Sequence, residues 1–329
     1  MQKKKPDIVL GMTVGMLVLA AVLCLVILFA QKSAPAKNDA NNNGDPAAPI
    51  VSDEVIESGD ATKPSDSDHQ TPSDQETTDP DNPNVPVDVK AIDDVSLKAA
   101  LDDCLSGLPN DWQVVVMDPI VGTEVDSYIN CKGVNDLMKA DRMLPVFIMA
   151  TAFQKVADGA LTEDQILDDV KAMIVQGDRA AADRLTEAVG GKEAVKKFAE
   201  KDFGTIGYNK TMSGVGSKPN YVTGQQMAKI LNMICRGELV SKDASSRMLD
   251  ILCEKRDSEE IDLGITDESI KYGFVSYAED KVCVATMGVV RLPHRSFVIS
   301  VICNGPNTLS RAKDKVTQLV TLTLPYFND

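Results

Sequence analysis

The chain has 329 residues, 43% of them hydrophobic, 5% aromatic and 25% charged, with a formal net charge of −15. An acidic chain without a basic face offers nothing to a phosphate backbone, so nucleic acid is excluded as a partner. Once the N-terminal part is set aside about 240 residues remain, enough for one domain of two lobes around a sizeable core.

The first element is the run from Ile8 to Ala30, which carries no charged residue. At about 1.5 Å per residue it spans roughly 34 Å, enough to cross a bilayer. Lys3, Lys4 and Lys5 precede it and only Lys32 follows closely. The positive-inside rule therefore predicts a cytoplasmic tip over 1–7, a transmembrane helix over 8–30 and an extracytoplasmic remainder, that is, a single-pass protein of the cell membrane. A cleaved signal peptide is the rival, with Ala34-Pro35-Ala36 as a small-residue cleavage site, but a signal's apolar region is shorter, about 7–15 residues. Cys24 follows the large Leu23 inside the apolar run and reads as lipid-facing filler rather than a lipid-modified start.

Residues 31–90 hold 13 acidic and 4 basic residues and no aromatic one. Such a composition buries no core and predicts a disordered acidic stalk. A spacer through a cell wall is its functional reading; a linker kept open by its own charge is the simpler one.

The domain over 91–329 opens with an amphipathic helix from Val95 to Leu105. Val114 to Val116 then lead through Asp118-Pro119 and Gly122 into Glu124 to Ile129, a hairpin. A helical block follows. Leu144 to Ala157 ends at Gly159, Thr162 and Gln165 form a capping box for a helix to about Gln176, and Ala180 to Val189 ends at Gly190-Gly191. Lys192 to Lys201, Thr223 to Arg236 with Thr223 and Gln226 as a second capping box, and Ser241 to Lys255 complete it. Phe274 to Tyr277, Val282 to Val290 and Phe297 to Cys303 read as a strand meander, and a helix from Ser310 to Leu322 closes the chain, with Ser310 as its N-cap. The order predicts an α+β fold: an antiparallel five-stranded sheet flanked by the terminal helices, plus an all-helical lobe, with ligands bound between the two.

Several stretches in order resemble one family. They are Pro145-Val146-Phe147-Ile148-Met149-Ala150, then Met173 to Arg179 with Leu185 and Gly190-Gly191, then Asn220-Tyr221-Val222-Thr223, Lys271-Tyr272-Gly273 and Ile299 to Gly305. Residues 92 to 329 resemble the serine penicillin-recognising enzymes, and among them the class A beta-lactamase-like hydrolases of bacterial envelopes. The resemblance implies three catalytic motifs: Ser-x-x-Lys for the nucleophile and its base, Ser-Asp-Asn in the cleft, and Lys-Thr-Gly on a strand. This sequence departs from all three. At the first it reads Arg142-Met143-Leu144-Pro145, with neither hydroxyl nor amine. At the second it reads Gly177-Asp178-Arg179, keeping only the acid, and at the third Lys271-Tyr272-Gly273, with tyrosine in place of the small hydroxyl residue. Between Phe203 and Asn220 there is no glutamate to activate a deacylating water.

No other nucleophile presents itself. Ser310-Arg311-Ala312-Lys313 falls after Lys271, and Ser213 and Ser217 flank Gly214-Val215-Gly216 without a histidine near in sequence. The two histidines, His69 and His294, and the dispersed cysteines make no zinc pattern, and no cofactor is expected. The reading is a pseudoenzyme that binds a cell-wall peptide or an envelope protein. An active serine hydrolase of beta-lactamase or D,D-peptidase type with displaced catalytic groups is the alternative. The resemblance would bring Arg142, Arg179 and Lys271 together with Asp178 in a cleft that takes an anion, alongside Tyr272 and Gly273; mutual neutralisation of Asp178 and the arginines is the simpler reading.

Apart from Cys24 six cysteines remain, which allow fifteen complete pairings. If the last hairpin turns symmetrically about Pro293, Cys283 faces Cys303 at about 4.5–5.5 Å between Cβ atoms, close to what a disulfide needs. Two free thiols remain the alternative, favoured by a one-residue shift of register.

Overall fold

The computed structural model describes residues 90–131, 133, 135–140, 143–254, 267–279, 283–305 and 308–328. The expected cytoplasmic tip, transmembrane helix and nearly all of the stalk lie outside them. Among the described residues no helix is long and apolar enough to cross a membrane.

Asp93 opens the domain, its carboxylate accepting the Ser96 amide at 2.9 Å as the cap of α1 (Asp94–Leu105). Leu97, Leu101 and Leu105 recur every four residues and are all buried on one face. The chain then forms β1 (Asp111–Met117) and β2 (Glu124–Ile129), the expected hairpin, and a two-residue strand β3 (Met138–Lys139) that the sequence did not suggest. Next comes α2 (Pro145–Ala157), whose residues from Pro145 to Phe153 are all buried. A helix apolar on every side belongs inside a protein, and α2 is the centre of the helical lobe.

Around it stand α3 (Glu163–Val175), α4 (Arg179–Ala188), α5 (Gly191–Asp202), α6 (Gly224–Cys235) and α7 (Lys242–Glu254), with β4 (Tyr221–Val222) pairing β3. Both capping boxes form. Thr162 N donates to Gln165 Oε1 at 2.8 Å, and Thr223 N to Gln226 Oε1 at 2.9 Å while Gln226 N returns to Thr223 Oγ1 at 3.0 Å.

The chain returns as β5 (Lys271–Glu279), β6 (Cys283–Arg291) and β7 (Ser296–Asn304), then α8 (Thr308–Thr323) and a 3₁₀ turn (Leu324–Phe327). The helix begins at Thr308, so Ser310 sits in its first turn and is not the cap expected. The five strands form one antiparallel sheet in the order β2-β1-β7-β6-β5, which makes the fold α+β as expected. Alternation divides the sheet's side chains between two cores. Trp112, Val114, Val116, Phe297, Ile299 and Val301 pack under α1 and α8. Val115, Met287, Val289, Val298 and Ile302 join Met227, Ile230 and Leu231 of α6 and the rest of the helical lobe.

The expected Cys283–Cys303 bridge does not form, and both thiols are free. Arg291 pairs with Ser296, which leaves a four-residue connection closed by Leu292 N donating to Arg295 O at 2.8 Å. Arg295 belongs to that turn because its guanidinium reaches inward to the fully buried Asp118, with Nε at 2.9 Å from Oδ2. The turn is thus one residue longer than symmetry about Pro293 requires, and the register shifts by one. Cys283 pairs with Asn304 and Val284 with Cys303. A one-residue shift sends the two thiols to opposite faces: Cys283 lies in the core of the helical lobe and Cys303 in the core under α1 and α8.

Candidate functional site

The position that resembles Ser-x-x-Lys lies at the start of α2. Arg142 falls outside the described residues. Met143 and Leu144 are fully buried, and Pro145 is the first helical residue, where the missing N–H removes no helical bond. Met143 N donates to Ala140 O at 2.8 Å, and Ala140 N to Asn220 O at 3.0 Å. This first turn therefore presents apolar side chains already committed to the core. None of them has an atom that could attack a carbonyl or take a proton.

Gly177-Asp178-Arg179 joins α3 to α4, and local geometry accounts for its first two residues. Gly177 has φ +70°, the left-handed conformation that ends a helix, and Asp178 N closes back onto Ala172 O at 2.9 Å. Asp178 is the N-cap of α4, accepting from Ala180 N at 2.8 Å and Ala181 N at 3.3 Å. The carboxylate expected to face a ligand is engaged by its own helix. Arg179 follows it and is exposed.

One turn further along α4, Asp183 accepts from Met212 N at 2.7 Å and Ser213 N at 3.1 Å. These amides belong to the connection 203–220, which contains no acidic residue. Tyr208, fully buried, shares a 2.8 Å hydrogen bond with Thr186 of α4; burial pushes its phenol up to about 12, an effect that hydrogen bond partly offsets. Asn220 gathers the other side, accepting from Asn209 N at 2.7 Å and Lys210 N at 2.8 Å and donating to Lys210 O at 2.9 Å. The start of α2, the start of α4 and this connection are thereby tied into one rigid region. Asp183, Tyr208 and Asn220 escaped the sequence reading, since nothing in spacing pairs them with partners 10 to 30 residues away.

Lys271-Tyr272-Gly273 is not brought to that region. Lys271 opens β5 opposite Arg291, at the end of the sheet next to the 292–295 turn. The region around α2 meets the other end, where Cys283 Sγ donates to Lys139 O at 2.9 Å. Arg291 and Cys283 are eight residues apart on β6, a separation of about 27 Å at strand rise. Tyr272, moreover, is buried against Phe274, ring centroids 6.1 Å apart, in the core under α1 and α8. Of the expected cleft residues, Asp178 and Arg179 stand by the region around α2, whereas Lys271, Tyr272 and Gly273 stand at the far end of β5.

A five-stranded antiparallel sheet with terminal helices on one face and a helical lobe around a buried central helix on the other defines the penicillin-recognising hydrolase architecture. The sequence model of the beta-lactamase enzyme family matches residues 153–327, and the chain belongs to that family. The match begins after the first turn of α2. Among solved structures, the beta-lactamase from Sphaerobacter thermophilus DSM 20745 has a TM-score of 0.60 at 15% identity, covering 71% of this chain and 97% of its own. The TLA-3 extended-spectrum beta-lactamase gives 0.59 at 15%, with 70% and 98% covered, and PBP-A gives 0.59 at 17%, with 70% and 95% covered. At these identities the likeness carries the fold. No curated protein matches the chain in sequence.

Proposed function

We propose that this chain is a catalytically inactive member of its family, anchored in the cell membrane by residues 8–30, that binds an envelope ligand or protein outside the cytoplasm. The observation that carries this reading is the start of α2, where Met143 and Leu144 are buried and Pro145 opens the helix. Acyl transfer needs a nucleophile and a base within hydrogen-bond reach of one another, and this turn supplies neither. The fold around it is intact, which is what a binding module retained after loss of chemistry would keep.

The ligand class we favour is an anionic peptide such as a cell-wall stem peptide, met by the exposed Arg179 beside the region around α2. Lys271, at the far end of β5, has no part in this. The test is calorimetric titration of the full-length chain in detergent with a soluble stem peptide, followed by mass analysis of the peptide. Saturable binding, weakened about tenfold by Arg179→Ala, with the peptide recovered uncleaved, is the expected result. Loss of a terminal residue from the peptide would overturn the inactive reading, and no binding by the wild type would remove the peptide ligand.

A further inference from the structure

Two thiols gather at the end of the sheet away from the start of α2. Cys235 is the last residue of α6, and Cys253 lies one residue from the end of α7. These helices pack on each other, α7 also packs on β5, and α6 touches β6. Arg291, the last residue of β6, hydrogen-bonds the Cys253 side chain, and its charge also acts on Cys235. Lys271, its partner across the β5–β6 ladder, adds a second cation near Cys253. The two sulfurs sense each other's charge, and both cysteines are partly accessible. One guanidinium therefore stands over a pair of thiols from two separate helices, in the same domain where the hairpin cysteines have been separated.

We propose that Cys235 and Cys253 are a redox pair that closes to a disulfide, with Cys253 the thiol that reacts first. Burial raises both thiols, Cys235 to about 12, so neither is a resting thiolate. Arg291 opposes this at both, and it hydrogen-bonds only Cys253. With a small disulfide such as oxidised glutathione, Cys253 loses its proton and attacks one sulfur, and the glutathione thiolate that leaves takes up that proton. Cys235 then loses its proton and attacks the Cys253 sulfur of the mixed disulfide, expelling the second glutathione as a thiol. Two protein thiols are oxidised, and one external disulfide is reduced to two thiols. The bond would join α6 to α7 across a segment of 18 positions and clamp both over the end of the β5–β6 ladder.

Closure needs Cα atoms within about 7 Å, so the test has a sharp answer. Full-length protein is incubated with oxidised glutathione, free thiols are alkylated, and the digest is mapped without reduction. A peptide containing Cys235 linked to one containing Cys253 is expected, with five of the seven cysteines of the chain alkylated. The oxidised protein should unfold about 5 °C or more above the reduced one. Arg291→Gln should slow closure about tenfold, and Cys253→Ser should leave Cys235 alkylated. Recovery of both cysteines as alkylated thiols, or as separate glutathione adducts, would overturn the proposal. Since that readout is on the wild type, it stands even if a variant fails to fold.

Discussion

Replacing Arg295 with methionine keeps most of the side chain's length and removes the only cation facing Asp118 among the described residues. Asp118 is fully buried and Arg295 is 7% exposed. The carboxylate also accepts from Ile120 N at 2.8 Å and Val121 N at 3.2 Å, which fixes the β1–β2 turn. The guanidinium further donates to Lys90 O at 2.9 Å and lies 5.2 Å from the centre of the Phe327 ring. One side chain thus joins the β1–β2 turn, the β6–β7 turn, the entry of the chain and its C-terminal 3₁₀ turn. Breaking a buried pair from one side costs about 3–5 kcal/mol, because the other charge is left without compensation. For a domain of this size that is a fall of about 10 °C in the unfolding temperature, followed by circular dichroism. Asp118→Asn combined with Arg295→Met removes both charges and should recover at least about 1 kcal/mol of the single-variant loss. An Arg295→Met protein within about 0.5 kcal/mol of wild type would refute the reasoning, since that is the range of an ordinary surface change.

Three further outcomes follow from the same kind of accounting. Asp183→Ala leaves the amides of Met212 and Ser213 without their acceptor, so the connection 203–220 should become a site of limited proteolysis, with a loss of about 1–3 kcal/mol; unchanged cleavage would contradict its role. Burial holds the Tyr208 phenol near 12 against an ordinary value of about 10, so the unfolded chain loses this proton first. Stability is therefore intact below about pH 10 and falls as pH rises towards 12, by about 2–3 kcal/mol from this group, and Tyr208→Phe should flatten that slope in urea unfolding. Gly288→Ala would place a Cβ 2.1 Å from Phe274 Cδ1, a ring itself only 1% exposed. It should destabilise by about 1–3 kcal/mol, with partial rescue by Phe274→Leu; full stability of the single variant would show that the ring moves freely.

Most of the fold was legible because helix ends carry local chemistry. The pairs Thr162 with Gln165 and Thr223 with Gln226 announced their helices three residues at a time, and the structure bears out both. The register of β6 and β7 was not legible, because it depends on Arg295 leaving the strand for Asp118, 177 positions away. β3 and β4 are two residues each, too short for any periodicity to register. The placing of Lys271-Tyr272-Gly273 rested on three letters of a motif, whereas its position in space is set by a nine-residue strand pairing. Gly177-Asp178 is a different case. A glycine that stops one helix and an aspartate that caps the next is a readable signal, and it was passed over in favour of a ligand role.

The central claim, that the family fold here has no acylating group, is tested by intact mass measurement of the full-length protein after incubation with benzylpenicillin. The unmodified mass is the expected result, for wild type and for Arg142→Ala alike. A mass increase equal to one penicillin, traced by digestion to any serine, would contradict it.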